Sequence, residues 1–125
     1  MGQAVSPARP IVLVVEDEPL QRLMAVDLVE DAGFEAVAVS SADNAIRVLE
    51  GRPDIRVVFT DIDMPGAVDG MRLAAMIRDR WPPIELIIIS GRRTPEVDEI
   101  PARGLFFAKP YKRHEVADAL QRMAG

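Results

Sequence analysis

Cysteine is missing from this chain and histidine occurs once. The first absence excludes disulfides and thiolate metal sites and fits a reducing compartment, so the cytoplasm is the expected location. The second leaves no imidazole cluster, so any resident ion must rely on oxygen ligands. Positive charge is also scarce. Fifteen Lys and Arg stand against 20 Asp and Glu, a net charge of −5, which argues against nucleic acid as a partner, because phosphate contacts need clustered cations. No apolar run approaches the ~20 residues of a bilayer span, and no membrane insertion is expected. The opening "MGQAVSPARP" lacks the apolar centre of a signal peptide. It matches a myristoylation pattern through Gly2 and Ser6, but Pro7 and Pro10 follow, and residues 1–10 read as a flexible leader.

What is present suffices for one soluble globular domain over 11–125: the chain has 125 residues, 49% hydrophobic and 28% charged. Apolar runs recur at 11–15, 35–39, 57–60, 85–90 and 104–108, with helical patterns between them. The first helix is expected over 20–32, with Leu20, Met24 and Leu28 at fourfold spacing and Gly33 as its stop. The second opens at "SSAD" and aligns Ala42, Ile46 and Leu49; the third runs from Gly70 to Trp81 and is ended by Pro82 and Pro83. The last spans 112–123 through Val116, Leu120 and Met123. Between 91 and 103, Pro95 and Pro101 leave room only for a short or irregular helix.

The runs at 11, 57 and 85 are continuously apolar, as strands covered on both faces are. Strand and helix alternating five times predict an α/β doubly wound (βα)5 domain with a parallel sheet and right-handed crossovers. In such a sheet the carboxyl ends of all strands share one edge, where ligands bind. Glu16 and Asp17 follow the first run, Asp61 the third, Ser90 closes the fourth and Lys109 follows the fifth. Each has an ordinary explanation alone, as a cap, a turn residue or a surface charge. Together they do not, because two carboxylates about 4 Å apart repel by roughly 4 kcal/mol at an effective dielectric near 20. Lys109 offsets one charge and a divalent cation the rest. Oxygen-only ligands make Mg²⁺ the natural choice, completed by waters and a phosphate oxygen. An ionised carboxylate beside such an ion can act as a nucleophile toward phosphorus, with a hydroxyl and an ammonium placed to neutralise charge on the transferred group.

The stretches "VVEDEP", "TDIDMPG", "IIISG" and "AKPY" resemble the receiver domain of bacterial two-component response regulators, from about 11 to 123. The resemblance implies a flavodoxin-like three-layer sandwich with strand order 2-1-3-4-5. It implies Asp61 as phosphoacceptor, Glu16 and Asp17 as the acidic pair holding Mg²⁺ with Asp61, and the backbone carbonyl of Asp63 as a further metal ligand. Ser90 would be the switch hydroxyl, Lys109 the phosphoryl-contacting lysine and Phe106 the switch aromatic. Phe106 has no phenolic hydroxyl, so its switching would work by ring burial alone. The loop at Gly66, Ala67 and Val68 is slightly longer than the common form, and the segment between Ser90 and Lys109 is shorter. Arg92 occupies a position where the family tunes dephosphorylation.

These implications describe a stand-alone phosphoacceptor fed by a sensor histidine kinase or histidine phosphotransfer protein and acting on a downstream protein target. It would catalyse only its own phosphorylation and dephosphorylation. The chain closes two residues after its last expected helix, so output is expected through protein contact or onward phosphoryl transfer. Alternatives are an aspartate-nucleophile phosphatase with Asp63 activating water, and a docking scaffold indifferent to phosphorylation. A flavin carrier is disfavoured because "EDEPLQ" is acidic where a phosphate loop needs Ser, Thr and Gly. His114, Trp81 and Tyr111 carry no assigned role; exposure explains the first, and packing the other two.

Overall fold

The computed structural model describes residues 9–64 and 69–124. Gly66, Ala67 and Val68, and the leader through residue 8 with its Gly2 and Ser6, lie outside the described residues. Five strands, β1 (Ile11–Val15), β2 (Glu35–Val39), β3 (Ile55–Asp61), β4 (Glu85–Ser90) and β5 (Gly104–Ala108), pair in parallel in the order β2-β1-β3-β4-β5. Four α-helices, α1 (Pro19–Asp31), α2 (Ala42–Gly51), α3 (Gly70–Arg80) and α4 (Arg113–Ala124), supply the outer layers. This is the expected doubly wound sandwich, with one crossover reduced in form.

The central strands are buried on both faces because their side chains alternate between two cores. Leu13, Val15, Val58, Leu86 and Ile88 face α2 and α3, packing with Leu49, Leu73 and Ile77. Val12, Val14, Phe59, Ile87 and Ile89 face α1 and α4, packing with Leu28, Val29 and Leu120. A side chain such as Phe59 or Leu86, fully buried, contributes about 1.5–3 kcal/mol relative to exposure. Edge strands β2 and β5 are only partly covered.

Two local features differ from the sequence expectation, and a third follows it. Strand β3 begins at Ile55, two residues earlier, because a register shift between Ile11 and Val12 lets the exposed Arg56 bulge out. Helix α1 does not dock through Leu20 and Met24, which are 61% and 52% exposed; Ala25, Leu28 and Val29 form its buried stripe. Finally, the crossover from β4 to β5 carries a single 3-10 turn, Val97–Glu99. Pro95 and Pro101 bracket it, and the Glu99 side chain accepts the Glu96 N–H at 2.8 Å to close it. The Arg78 guanidinium spans the gap, donating to the carbonyls of Ala102 at 2.6 Å and Pro82 at 2.7 Å.

Helix α3 begins against the strand end that matters most. A Cβ on Gly70 would lie 2.4 Å from the Ile62 Cα and 2.5 Å from the Asp61 carbonyl oxygen, and backbone on both sides cannot yield. Gly51, with nothing within 4 Å of its Cβ position, is the matched control. Gly70→Ala is expected to lower stability by about 2 kcal/mol or more in urea unfolding, as overpacking does. Gly51→Ala should stabilise slightly, by about 0.4–1 kcal/mol. Equal effects at the two positions would contradict the close approach of α3 to Asp61.

Candidate functional site

Parallel pairing fixes where the polar residues emerge. Asp61 ends β3, paired across from Ile89, and Ser90 ends β4, paired across from Ala108. Glu16 follows β1 and its N–H continues the ladder to the Val39 carbonyl at 3.1 Å; Lys109 follows β5 and its N–H bonds the Ser90 carbonyl at 2.8 Å. Four strand ends thus carry Glu16, Asp61, Ser90 and Lys109 to one edge, where Glu16, Asp17, Asp61, Asp63, Gly91, Arg92 and Lys109 line a common hollow.

The acidic residues are packed closely. Glu16, Asp17 and Asp61 each present a carboxylate oxygen within 4.8 Å of the others, and Glu16 and Asp61 are each 3% exposed. The Lys109 ammonium lies over them, donating to Asp61 Oδ2 at 2.6 Å and standing 3.5 Å from Glu16 Oε1. The other Asp61 oxygen accepts the Asp63 N–H at 2.7 Å. Phe106, on β5 beside Ile88, is partly buried against the α2–α3 core.

The family model described as the response regulator receiver domain matches residues 12–121. The chain belongs to that family. Chemotaxis protein CheY of Listeria monocytogenes is 34% identical over 119 residues, covering 90% of this receiver and 96% of CheY. Response regulator protein FleR of Pseudomonas aeruginosa is 34% identical over 116 residues, which cover 90% of this receiver but 24% of FleR. The receiver thus spans about a quarter of that protein's length. A solved response regulator receiver protein from Sinorhizobium medicae matches with a TM-score of 0.86 at 27% identity, over 93% of this chain and 94% of that one. No described helix is long and apolar enough to cross a membrane.

The three acids after β1 divide their work. Glu18 caps α1, accepting from the N–H groups of Leu20 at 3.3 Å and Gln21 at 2.8 Å. Glu16 accepts the Glu18 N–H at 3.1 Å, and Asp17 is left to face the cluster. Two further residues of the receiver escaped the sequence reading. The Gln21 side-chain oxygen accepts from Lys109 Nζ at 2.6 Å, and Arg22 holds the acidic turn by donating to the carbonyls of Glu16 at 3.0 Å and Asp17 at 3.3 Å. Their signal was position, about one helical turn beyond the acid pair.

The hydrogen bonds of the Asp63 side chain were also missed, since that side chain was weighed only as the water-activating acid of the phosphatase alternative. Its Oδ1 accepts from the Ser90 hydroxyl at 2.8 Å, and its Oδ2 from the N–H groups of Gly91 at 2.8 Å and Arg92 at 3.2 Å. Desolvation would raise its pKa, but these donors and the Lys109 charge outweigh burial and hold it below the usual aspartate value. Outside this cluster, Tyr111 packs edge-on to Phe59 with ring centroids 6.0 Å apart, Arg80 stacks over Trp81 at 4.4 Å, and His114 is exposed.

Crowding leaves an electrostatic signature. Burial, followed by the neighbouring Asp61, pushes the Glu16 carboxyl up to about 7, although the Glu18 N–H and Lys109 pull the other way. Lys109 loses by desolvation but gains more from Asp61 and Glu16, so its pKa is raised. Burial and crowding therefore favour a protonated Glu16 in the metal-free site. An all-oxygen set this compact fits a hard divalent cation such as Mg²⁺, whose charge would replace that proton.

For metal-free receiver the linkage has a definite sign. A folded Glu16 titrating at about 7 against an ordinary 4.5 gives stability that is fully present below the unfolded value and lost as pH rises through the folded one. The loss is on the order of 3 kcal/mol. Urea unfolding in chelator from pH 4.5 to 8 is expected to show that decline, and Glu16→Gln to flatten it. An unchanged slope in the variant would assign the decline to another group.

Proposed function

We propose that Asp61 accepts a phosphoryl group from the phosphohistidine of a sensor histidine kinase or histidine phosphotransfer protein, and that the change is read by a downstream protein target. The observation that carries this reading is the Lys109 ammonium at 2.6 Å from a buried aspartate that also shares a compact acidic cluster. The receiver catalyses only its own phosphorylation and dephosphorylation, and works in the cytoplasm.

In the transfer, an Asp61 carboxylate oxygen attacks phosphorus, an acyl phosphate O–P bond forms, and the donor's N–P bond breaks with its electron pair returning to the imidazole. Glu16, Asp17, Asp61 and the Asp63 carbonyl are the residues that would hold Mg²⁺. When bound, the ion supplies Lewis-acid neutralisation of the phosphoryl oxygens. Lys109 is placed to balance the negative charge spread over those oxygens, and the Asp63 N–H already orients the acceptor carboxylate. Ser90, buried at the neighbouring strand end, supplies a hydroxyl donor. Once Asp61 carries the added charge, Ser90 and Lys109 are drawn to it, and Phe106 on β5 follows by burying its ring. The result is a two-state shift that matters only through a target binding one state better.

Incubation with a small-molecule phosphodonor and Mg²⁺ tests the assignment. Wild type should be labelled on a single aspartate, Asp61→Asn not at all, and Asp17→Asn only with weakened Mg²⁺ binding. Persistent labelling of Asp61→Asn, or Mg²⁺ affinity unchanged in Asp17→Asn, would contradict it.

A further inference from the structure

Resting on that reading, we propose that the Asp63 carboxylate is an internal anion occupying the donors that a phosphoryl group on Asp61 would recruit, so that phosphorylation is an exchange in which Asp63 is evicted. Ser90 is 2% exposed and its hydroxyl carries one proton, which it gives to Asp63 Oδ1 at 2.8 Å. Ser90 Oγ itself accepts the N–H groups of Arg92 at 3.2 Å and Arg93 at 3.0 Å. These bonds lock the hydroxyl toward Asp63. Ser90 therefore cannot donate to a phosphoryl oxygen until Asp63 releases it. Gly91 and Arg92, which line the acceptor hollow, have their N–H groups directed to Asp63 Oδ2.

The placement follows from the strand register. Asp61 lies across from Ile89, so two residues further along each chain Asp63 lies beside Gly91 and reaches the loop after β4. A phosphoryl group brings nearly two negative charges and three acceptor oxygens into this space. It offers stronger partners to the same donors and repels the carboxylate. An adjoining hollow lined by Asp17, Asp63, Asp69, Arg92 and Arg93 offers the displaced side chain two arginines, although Asp17 and Asp69 share it. Asp63 thus acts as a positioning residue and a brake: it holds Ser90 and the loop after β4 in a closed arrangement when Asp61 is free.

Beryllofluoride, a phosphoryl analogue, with Mg²⁺ is the probe. Asp63→Ala is expected to bind it roughly tenfold more tightly than wild type, since charge-assisted hydrogen bonds to the competing anion are removed. Asp63→Asn, which keeps a weaker acceptor, should fall between the two. A through-space charge effect alone would make Ala and Asn equal, and that outcome, like unchanged or weaker binding, overturns the proposal. Adding Ser90→Ala should shrink the gain from Asp63→Ala, and strict additivity would count against the exchange. A structure of the wild-type beryllofluoride complex gives a readout independent of affinity. The Asp63 carboxylate should have left Ser90 Oγ and Gly91 N; its retention there refutes eviction. If Asp61→Asn still bound beryllofluoride, the acceptor assignment itself would fall, a result distinct from each of these.

Discussion

Carboxylates crowded at the end of a buried parallel sheet cost free energy, and the receiver is organised around offsetting that cost. Lys109 offsets part of it at 2.6 Å from Asp61, and the Glu16 pKa, pushed up to about 7, marks what remains. At an effective dielectric near 20, neighbouring unit charges this close interact by about 4 kcal/mol, a large fraction of a domain's net stability. A structure does not carry such a cluster for stability. It remains poised to take up positive charge as a cation and to hand an oxygen to an electrophile. Lys109 and the Glu16 and Asp17 carboxylates also come from opposite ends of the chain, so the site exists only when β1, β3 and β5 have been brought into one sheet.

Both faces of the sheet must be covered for this to work. Alternate residues of β1, β3 and β4 feed two separate apolar layers, which leaves the carboxyl edge as the outlet for polar chemistry. Gly70 brings α3 into backbone contact with Asp61 and Ile62, so the acceptor strand cannot drift. On the other side, Arg22 and Gln21 of α1 grip the acidic turn and the lysine. The β4 side is held differently, through Asp63 and the loop of Gly91 to Arg93 rather than through a helix. That is where the structure has freedom to change, because the crossover beyond it carries one 3-10 turn in place of a long helix.

The sheet was legible in the sequence because its signal is local: uninterrupted apolar runs mark central strands, and parallel topology then assigns every carboxyl end to one edge. The gathering of Glu16, Asp17, Asp61 and Lys109 followed from that rule alone. Helix α1 was misread in its facing because it carries two apolar stripes. Leu20 and Met24 lie on one, yet the small Ala25 lets the other, with Leu28 and Val29, approach the sheet, a tertiary choice that spacing cannot reveal. The Asp63 side chain was hidden for a similar reason. Its partners are 27 to 29 residues away and become visible only when β3 and β4 are set in register. Prolines at 95 and 101 did announce the shortened crossover, because their effect is covalent and needs no tertiary context.

The central claim is that residues from four strand ends form one cation-binding acceptor site. A backbone NMR titration with Mg²⁺, followed by beryllofluoride, tests it most directly. Mg²⁺ should shift the amides around Glu16, Asp17, Asp61 and Asp63 in a saturable way, and beryllofluoride should then move Ser90, Gly91, Lys109 and Phe106. Saturable shifts at a different surface, or none at the carboxyl edge of the sheet, would contradict the account.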